Sequence, residues 1–132
     1  MQQKRSLIAV EEINKALNLE LEPGHGWLSM AADEHIRTRH PADYDICLKH
    51  LDSILSQPDW VGQKPNQPDS FELISKVTDN GENIILVAVS IERNAFGNYQ
   101  IRSAYRLQQH DLDRRRRNNL FKRILKREEP LG

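Results

Sequence analysis

The sequence predicts an α+β domain: N-terminal helices, then an antiparallel β-meander, then a basic C-terminal helix. Three observations predict it. Apolar residues recur at spacings of three and four before Pro58, the pattern changes to alternation after it, and an Asn80-Gly81 pair separates two strand-like runs. Helices gathered ahead of strands argue for segregated elements rather than a wound parallel sheet.

Each element has its own justification. Leu7, Val10, Ile13 and Leu17 form one stripe of an amphipathic helix over 6–19, broken by Pro23-Gly24-His25-Gly26. Trp27 to Met30 is too short to classify alone. A second helix follows to about His40, with Ser29 as N-cap. Pro41 ends it, because a residue before proline is pushed out of the α region, and opens a third helix. There Tyr44, Cys47 or Leu48, Leu51 and Leu55 make one stripe up to Gln57-Pro58. Asp59 to Gly62 lead into a proline-bearing loop. Phe71, Leu73, Ser75 and Val77 then alternate with Glu72, Ile74, Lys76 and Thr78 as a strand does. Asn80-Gly81 is read as a two-residue hairpin loop, pairing Asp79 with Glu82 and setting Lys76 opposite Ile85. Ile84 to Ile91 is apolar on both faces, as a central strand is. Tyr99 to Leu107 is the third strand, with Ile101, Ser103, Tyr105 and Leu107 on one face and Arg102, Ala104 and Arg106 on the other. Asp111 caps a last helix running to about Arg127.

Composition narrows the classes. The 132 residues suit one domain. Cys47 is the only cysteine, so there is no internal disulfide framework and no cysteine-based zinc cluster. The longest apolar run, Ile84 to Val89, falls far short of the ~20 residues of a membrane span. The first residues lack a signal-type apolar core, so a soluble chain acting in the cytoplasm is expected. Net charge is zero, yet residues 1–72 carry 7 basic and 12 acidic side chains and residues 73–132 carry 12 and 7. The basic half holds Arg114, Arg115, Arg116 and Arg117, either a solvated helix face or a contact for a polyanion.

Few residues offer chemistry. Gly-rich phosphate loops, nucleophile elbows and metal-binding His-Glu-x-x-His helices are missing. His35 and His40 lie about 140° apart on a helix, which keeps them from sharing a metal unless the helix breaks. Cys47, on an apolar stripe, reads as a buried inert thiol. Trp60 reads as a core anchor. His40 sits at the edge of its helix's apolar face and at the C-terminus. It is either a C-cap histidine or a group titrating near neutrality. Ser103 and Tyr105 on one strand face gain meaning only if a histidine and a cation converge on them. Lys76 is one such cation.

Laid out in order, Leu28-Ser29, Ile36 to His40, Ile54-Leu55, Gln57 to Val61, the hairpin, and Ile101-Arg102-Ser103-Ala104-Tyr105 resemble the phage-associated branch of the barnase–EndoU–colicin–RelE-like (BECR) nuclease superfamily. The resemblance spans about Leu28 to Arg106, within a domain taken as 23–132 after an N-terminal helix and linker at 1–22.

That resemblance implies RNA cleavage without metal or cofactor, by attack of a ribose 2′-OH that leaves a 2′,3′-cyclic phosphate. It implies His40 as acid or base, Ser103 and Tyr105 as donors, His35 as understudy, and Arg102 and Lys76 as phosphate contacts. Arg102 is the weaker choice, since alternation sets it opposite Ser103 unless the strand bulges. His25 and His110 are candidates for a second histidine. RNA such as tRNA or rRNA is the implied substrate, with the Arg114–Arg117 run on its backbone or on an acidic inhibitor or immunity protein. The alternative is a non-catalytic phage or mobile-element module that binds RNA or an acidic protein.

Overall fold

Residues 82–93 form the long strand near the centre of a seven-stranded sheet, and its apolar side chains on both faces explain why layers pack on both sides. The structure is a computed structural model and describes residues 2–118 and 120–124. In chain order it runs β1 (Gln3–Leu7), α1 (Val10–Leu17), β2 (His25–Leu28), α2 (Met30–Arg39), α3 (Tyr44–Ser56), β3 (Trp60–Gly62), β4 (Ser70–Thr78), β5 (Glu82–Arg93), β6 (Tyr99–Leu107), α4 (Gln109–Arg117) and β7 (Phe121–Arg123). The sheet order is β1-β2-β6-β5-β4-β3-β7. The β4-β5-β6 meander is antiparallel, but β2 pairs with β6 in parallel through Gly26–Tyr99 and Trp27–Gln100. The mixed α+β class holds, with strands as well as helices before the meander.

Two cores hold the layers. On one face Ile13 of α1, Ile36 of α2 and Leu51, Ile54 and Leu55 of α3 pack on Phe71, Leu73, Ile85, Val87, Val89 and Tyr99. Each fully buried aliphatic contributes about 1.5–3 kcal/mol. On the other face Trp60, Ile74, Ile84 and Leu86 are covered by Leu112 of α4 and by Phe121. Trp60 is therefore a core anchor, and Cys47 is buried among α3's apolar residues, where burial pushes its thiol pKa up to about 12.

Several boundaries differ from the sequence reading, each for a physical reason. The first helix begins at Val10, not Ser6, because residues 3–7 pair with β2 and the Ser6 amide and hydroxyl bond to Asp52 of α3. Pro41 lies in a turn, and α3 begins only at Tyr44. Ser29 does cap α2, accepting from the Ala32 amide at 3.1 Å. At the hairpin Thr78, not Asp79, faces Glu82, so Lys76 lies opposite Ile84. Asn80 and Gly81 both have positive φ, 53° and 103°, within a connection one residue longer than expected. A one-residue slip moves paired side chains to the other face, and Lys76 shares its face with Ile84 and Trp60. The last helix starts with Gln108 as N-cap rather than Asp111 and stops at Arg117. Beyond it the Leu120 amide bonds to the Arg115 carbonyl, and Phe121–Arg123 pair with β3. The expected continuation past residue 124 lies outside the described residues.

Candidate active site on the second face of the sheet

The site is built by a bulge. Val89 faces Ile101 and Ala88 faces Ser103, so Arg102 is the extra residue between two pairs. The bulge changes the expected alternation. Ile101 joins Ala104 in the helix-covered core, while Ser103, Tyr105 and Leu107 face the other way. Arg102 points to Asp69, 3.2 Å from its carboxylate.

On that second face Leu112 of α4 and Phe121 pack over the core, with Ala88 and Tyr105 partly buried against it. Ser103, Ala88 and Glu72 form one row across three strands, and Tyr105, Leu86, Ile74 and Trp60 form the next. Ala88 is short, so nothing tall separates Ser103 from Glu72. The Ser103 Oγ is buried and has no hydrogen-bond partner among the described residues. An unpartnered buried hydroxyl costs stability, so a native protein keeps one where something else uses it.

The α2 terminus brings His40 to this row. The helix ends with the His40 amide bonded to the Ile36 carbonyl, and His40 itself turns out of it at φ −133°. Its imidazole stacks on Tyr105, with centroids 4.9 Å apart and planes 27° from parallel. His40 is thus a C-cap in its backbone and a neighbour of Tyr105 in its side chain. Leaving the helix also brings it near His35, at 6.3 Å edge to face. No cluster of three metal-ligating side chains occurs among the described residues.

The cation comes from α4. Arg115 is turned inward, its Nη1 3.1 Å from the buried Glu72 Oε1, and its positive charge partly offsets the rise of the Tyr105 pKa. Burial and, second to it, the Glu72 charge raise the Tyr105 pKa, so its phenol stays protonated at neutral pH. Lys64 also approaches Glu72, at 3.9 Å. The arrangement offers an imidazole, a neutral phenol, a hydroxyl without a partner and a guanidinium on one face.

The remaining expected residues scatter. Lys76 lies one row beyond Tyr105 and two strands over, ion-paired with Glu82 at 3.5 Å and above Trp60. The basic run divides: Arg114 pairs with Asp111, Arg116 lies over Trp60, and Arg117 is exposed. His25, on β2, is held by the Arg5 carbonyl of β1, and His110 is exposed on α4. The sequence reading passed over Glu72. Its signal was present: an acid between Phe71 and Leu73 in a strand buried on both faces. Beside the site a cleft of about 850 Å³ runs between α2 and the β5–β6 ends, with His35, Arg102, Gln100 and Glu92 on its walls.

A helix-backed antiparallel meander in a mixed α+β sheet is consistent with a BECR-like fold. Residues 4–114 match the model of the phage-Barnase-EndoU-ColicinE5/D-RelE like nuclease 3 family, and the chain belongs to that family. Among curated proteins and among solved structures nothing matches. No helix among the described residues is long and apolar enough to cross a membrane.

Proposed function

We propose that this nuclease is a metal-independent endoribonuclease of toxin, effector or phage type, acting on cytoplasmic RNA such as tRNA or rRNA. The observation that carries the reading is the stack of His40 on Tyr105 beside the unpartnered Ser103 Oγ and the inward Arg115. In this reading His40 takes the 2′-OH proton as the 2′-oxygen bonds to phosphorus. The bond from phosphorus to the 5′-oxygen breaks, and the Tyr105 phenol donates toward that leaving oxygen. Ser103 and Arg115 hold the phosphorane oxygens, where a guanidinium fork suits two acceptors at once. Glu72 keeps Arg115 aimed at the row. His35 and Arg102 line the cleft where the neighbouring nucleotide lies, and Arg114 and Arg117 face the RNA backbone. Lys76, held beyond Trp60, contributes only if the RNA extends across α4.

The test is cleavage of purified tRNA and rRNA in EDTA, beside a His40→Ala variant, with the ends mapped. Discrete cuts ending in 2′,3′-cyclic phosphate, lost in the variant, are the expected result. Intact RNA at high protein concentration overturns the reading in favour of a non-catalytic module. Cuts surviving His40→Ala move the chemistry to other residues.

A further inference from the structure

We propose that Asp43 is a positioning residue, which with Arg106 fastens the turn carrying His40 to the strand carrying Tyr105. This rests on the ribonuclease reading for its kinetic consequence, but not for its structural one.

The need for a fastener follows from the topology. The strand β2 pairs with β6 at Tyr99 and Gln100, so among the described residues β6 beyond the bulge has no strand on that side. A strand edge without a partner leaves backbone donors open. Asp43 closes this one: its Oδ2 accepts the Arg106 backbone N–H at 3.1 Å, and its Oδ1 accepts the Arg106 Nε at 2.6 Å. One carboxylate therefore grips both the backbone and the side chain of the residue next to Tyr105. The same residue closes the turn behind His40, its amide bonded to the His40 carbonyl at 3.0 Å. Asn83 steadies the guanidinium from β5, accepting from Arg106 Nη1 at 3.4 Å.

The chain of contacts is short and closed. His40 stacks on Tyr105, Tyr105 neighbours Arg106, Arg106 holds Asp43, and Asp43 holds the turn from His40. Among the described residues the His40 ring has no hydrogen bond that would fix it otherwise. Its place over Tyr105 is set by where the turn is tied. Asp43 is 18% exposed in its side chain and Arg106 42%.

The experiment reads position and rate separately. In wild type, the His40 ring protons carry a ring-current displacement in ¹H–¹³C NMR spectra, assigned with His40→Ala. In Asp43→Ala we expect that displacement to be lost, kcat on RNA to fall about 10- to 100-fold and KM to stay within about twofold. Asp43→Asn, which keeps an oxygen for the Arg106 amide, recovers part of both. Asp52→Ala is the control: Asp52 ties β1 to α3 by the same kind of bonds, and its loss leaves the His40 signals in place. If Asp43→Ala does not fold, Arg106→Gln, which spares the backbone bond, takes its place with the same expectation. A folded variant whose His40 signals match wild type overturns the proposal. If wild type cleaves no RNA, the nuclease reading fails alone and the NMR comparison still decides the clamp.

Discussion

Arg115 and Glu72, from α4 and β4, meet 3.1 Å apart with side chains 18% and 8% exposed, and this pair ties the basic helix to the face of the sheet. The same charge acts on the Tyr105 phenol, so one ion pair holds both the helix over the second core and the cation of the site. Breaking such a pair from one side leaves a desolvated charge. Glu72→Gln is expected to lose about 2–3 kcal/mol of stability. Urea unfolding followed by tryptophan fluorescence measures it, and a midpoint equal to wild type refutes the tie.

Gly62 faces Phe121 so closely that a Cβ there would come within 2.0 Å of the ring and 2.3 Å of the Leu120 carbonyl. Gly62→Ala therefore has to push β7 away from β3, at a cost of about 1–3 kcal/mol. Hydrogen exchange gives the check. The Ile124 amide, bonded to the Asp59 carbonyl, is expected to exchange faster while β4 and β5 amides keep their protection.

Asp79, at the β4–β5 hairpin, accepts from His50 at 2.9 Å and from Lys49 at 3.0 Å. The His50 hydrogen bond first, then the one from Lys49, lowers its pKa below the ordinary 3.8. A carboxylate with a depressed folded pKa stabilises above its unfolded value and loses that contribution as pH falls through the folded one. Below about pH 3.8 wild type should therefore lose stability that Asp79→Asn lacks to begin with. Urea midpoints for both proteins between about pH 6 and pH 3 should converge toward the acid end; parallel curves would count against it.

Arg114 and Arg117 are exposed on α4, whereas Arg115 is occupied internally. If RNA lies along that face, replacing both with Ala flattens the dependence of log K on log salt by about 0.7 per arginine for single strands. Binding to a fluorescent RNA across a salt series, using a His40→Ala background to prevent cleavage, provides the slope. An unchanged slope removes α4 from the RNA path.

How much was legible follows the range of each interaction. Ser29 as a cap, Tyr99 to Leu107 as a strand and Cys47 as buried are local or face-pattern signals, and the sequence carries them directly. Residues 3–7 form a strand only because β2 lies beside them, and 121–123 only because Gly62 admits Phe121. Neither reason is visible in a window of neighbours. The β6 bulge is a similar case: it turns Ile101 inward and frees Arg102 while leaving an ordinary strand composition. Of the candidate site, His40, Ser103 and Tyr105 were readable as residue types, and only the fold brings His40 onto the Tyr105 ring. Glu72 stood in plain view as an acid in a buried strand.

The parallel pairing of β2 with β6 also sets a schedule. During synthesis β2 emerges well before β6, which among the described residues is its partner besides β1 and lies near the end of the matched segment. Closing so long a loop is entropically costly and slow compared with forming the local helices. Tyr105, Ser103 and Arg115 all come after that point, so a ribosome-bound fragment ending before β6 holds His40 with nothing to stack on. The complete constellation comes into being only once β6 and α4 have both been made.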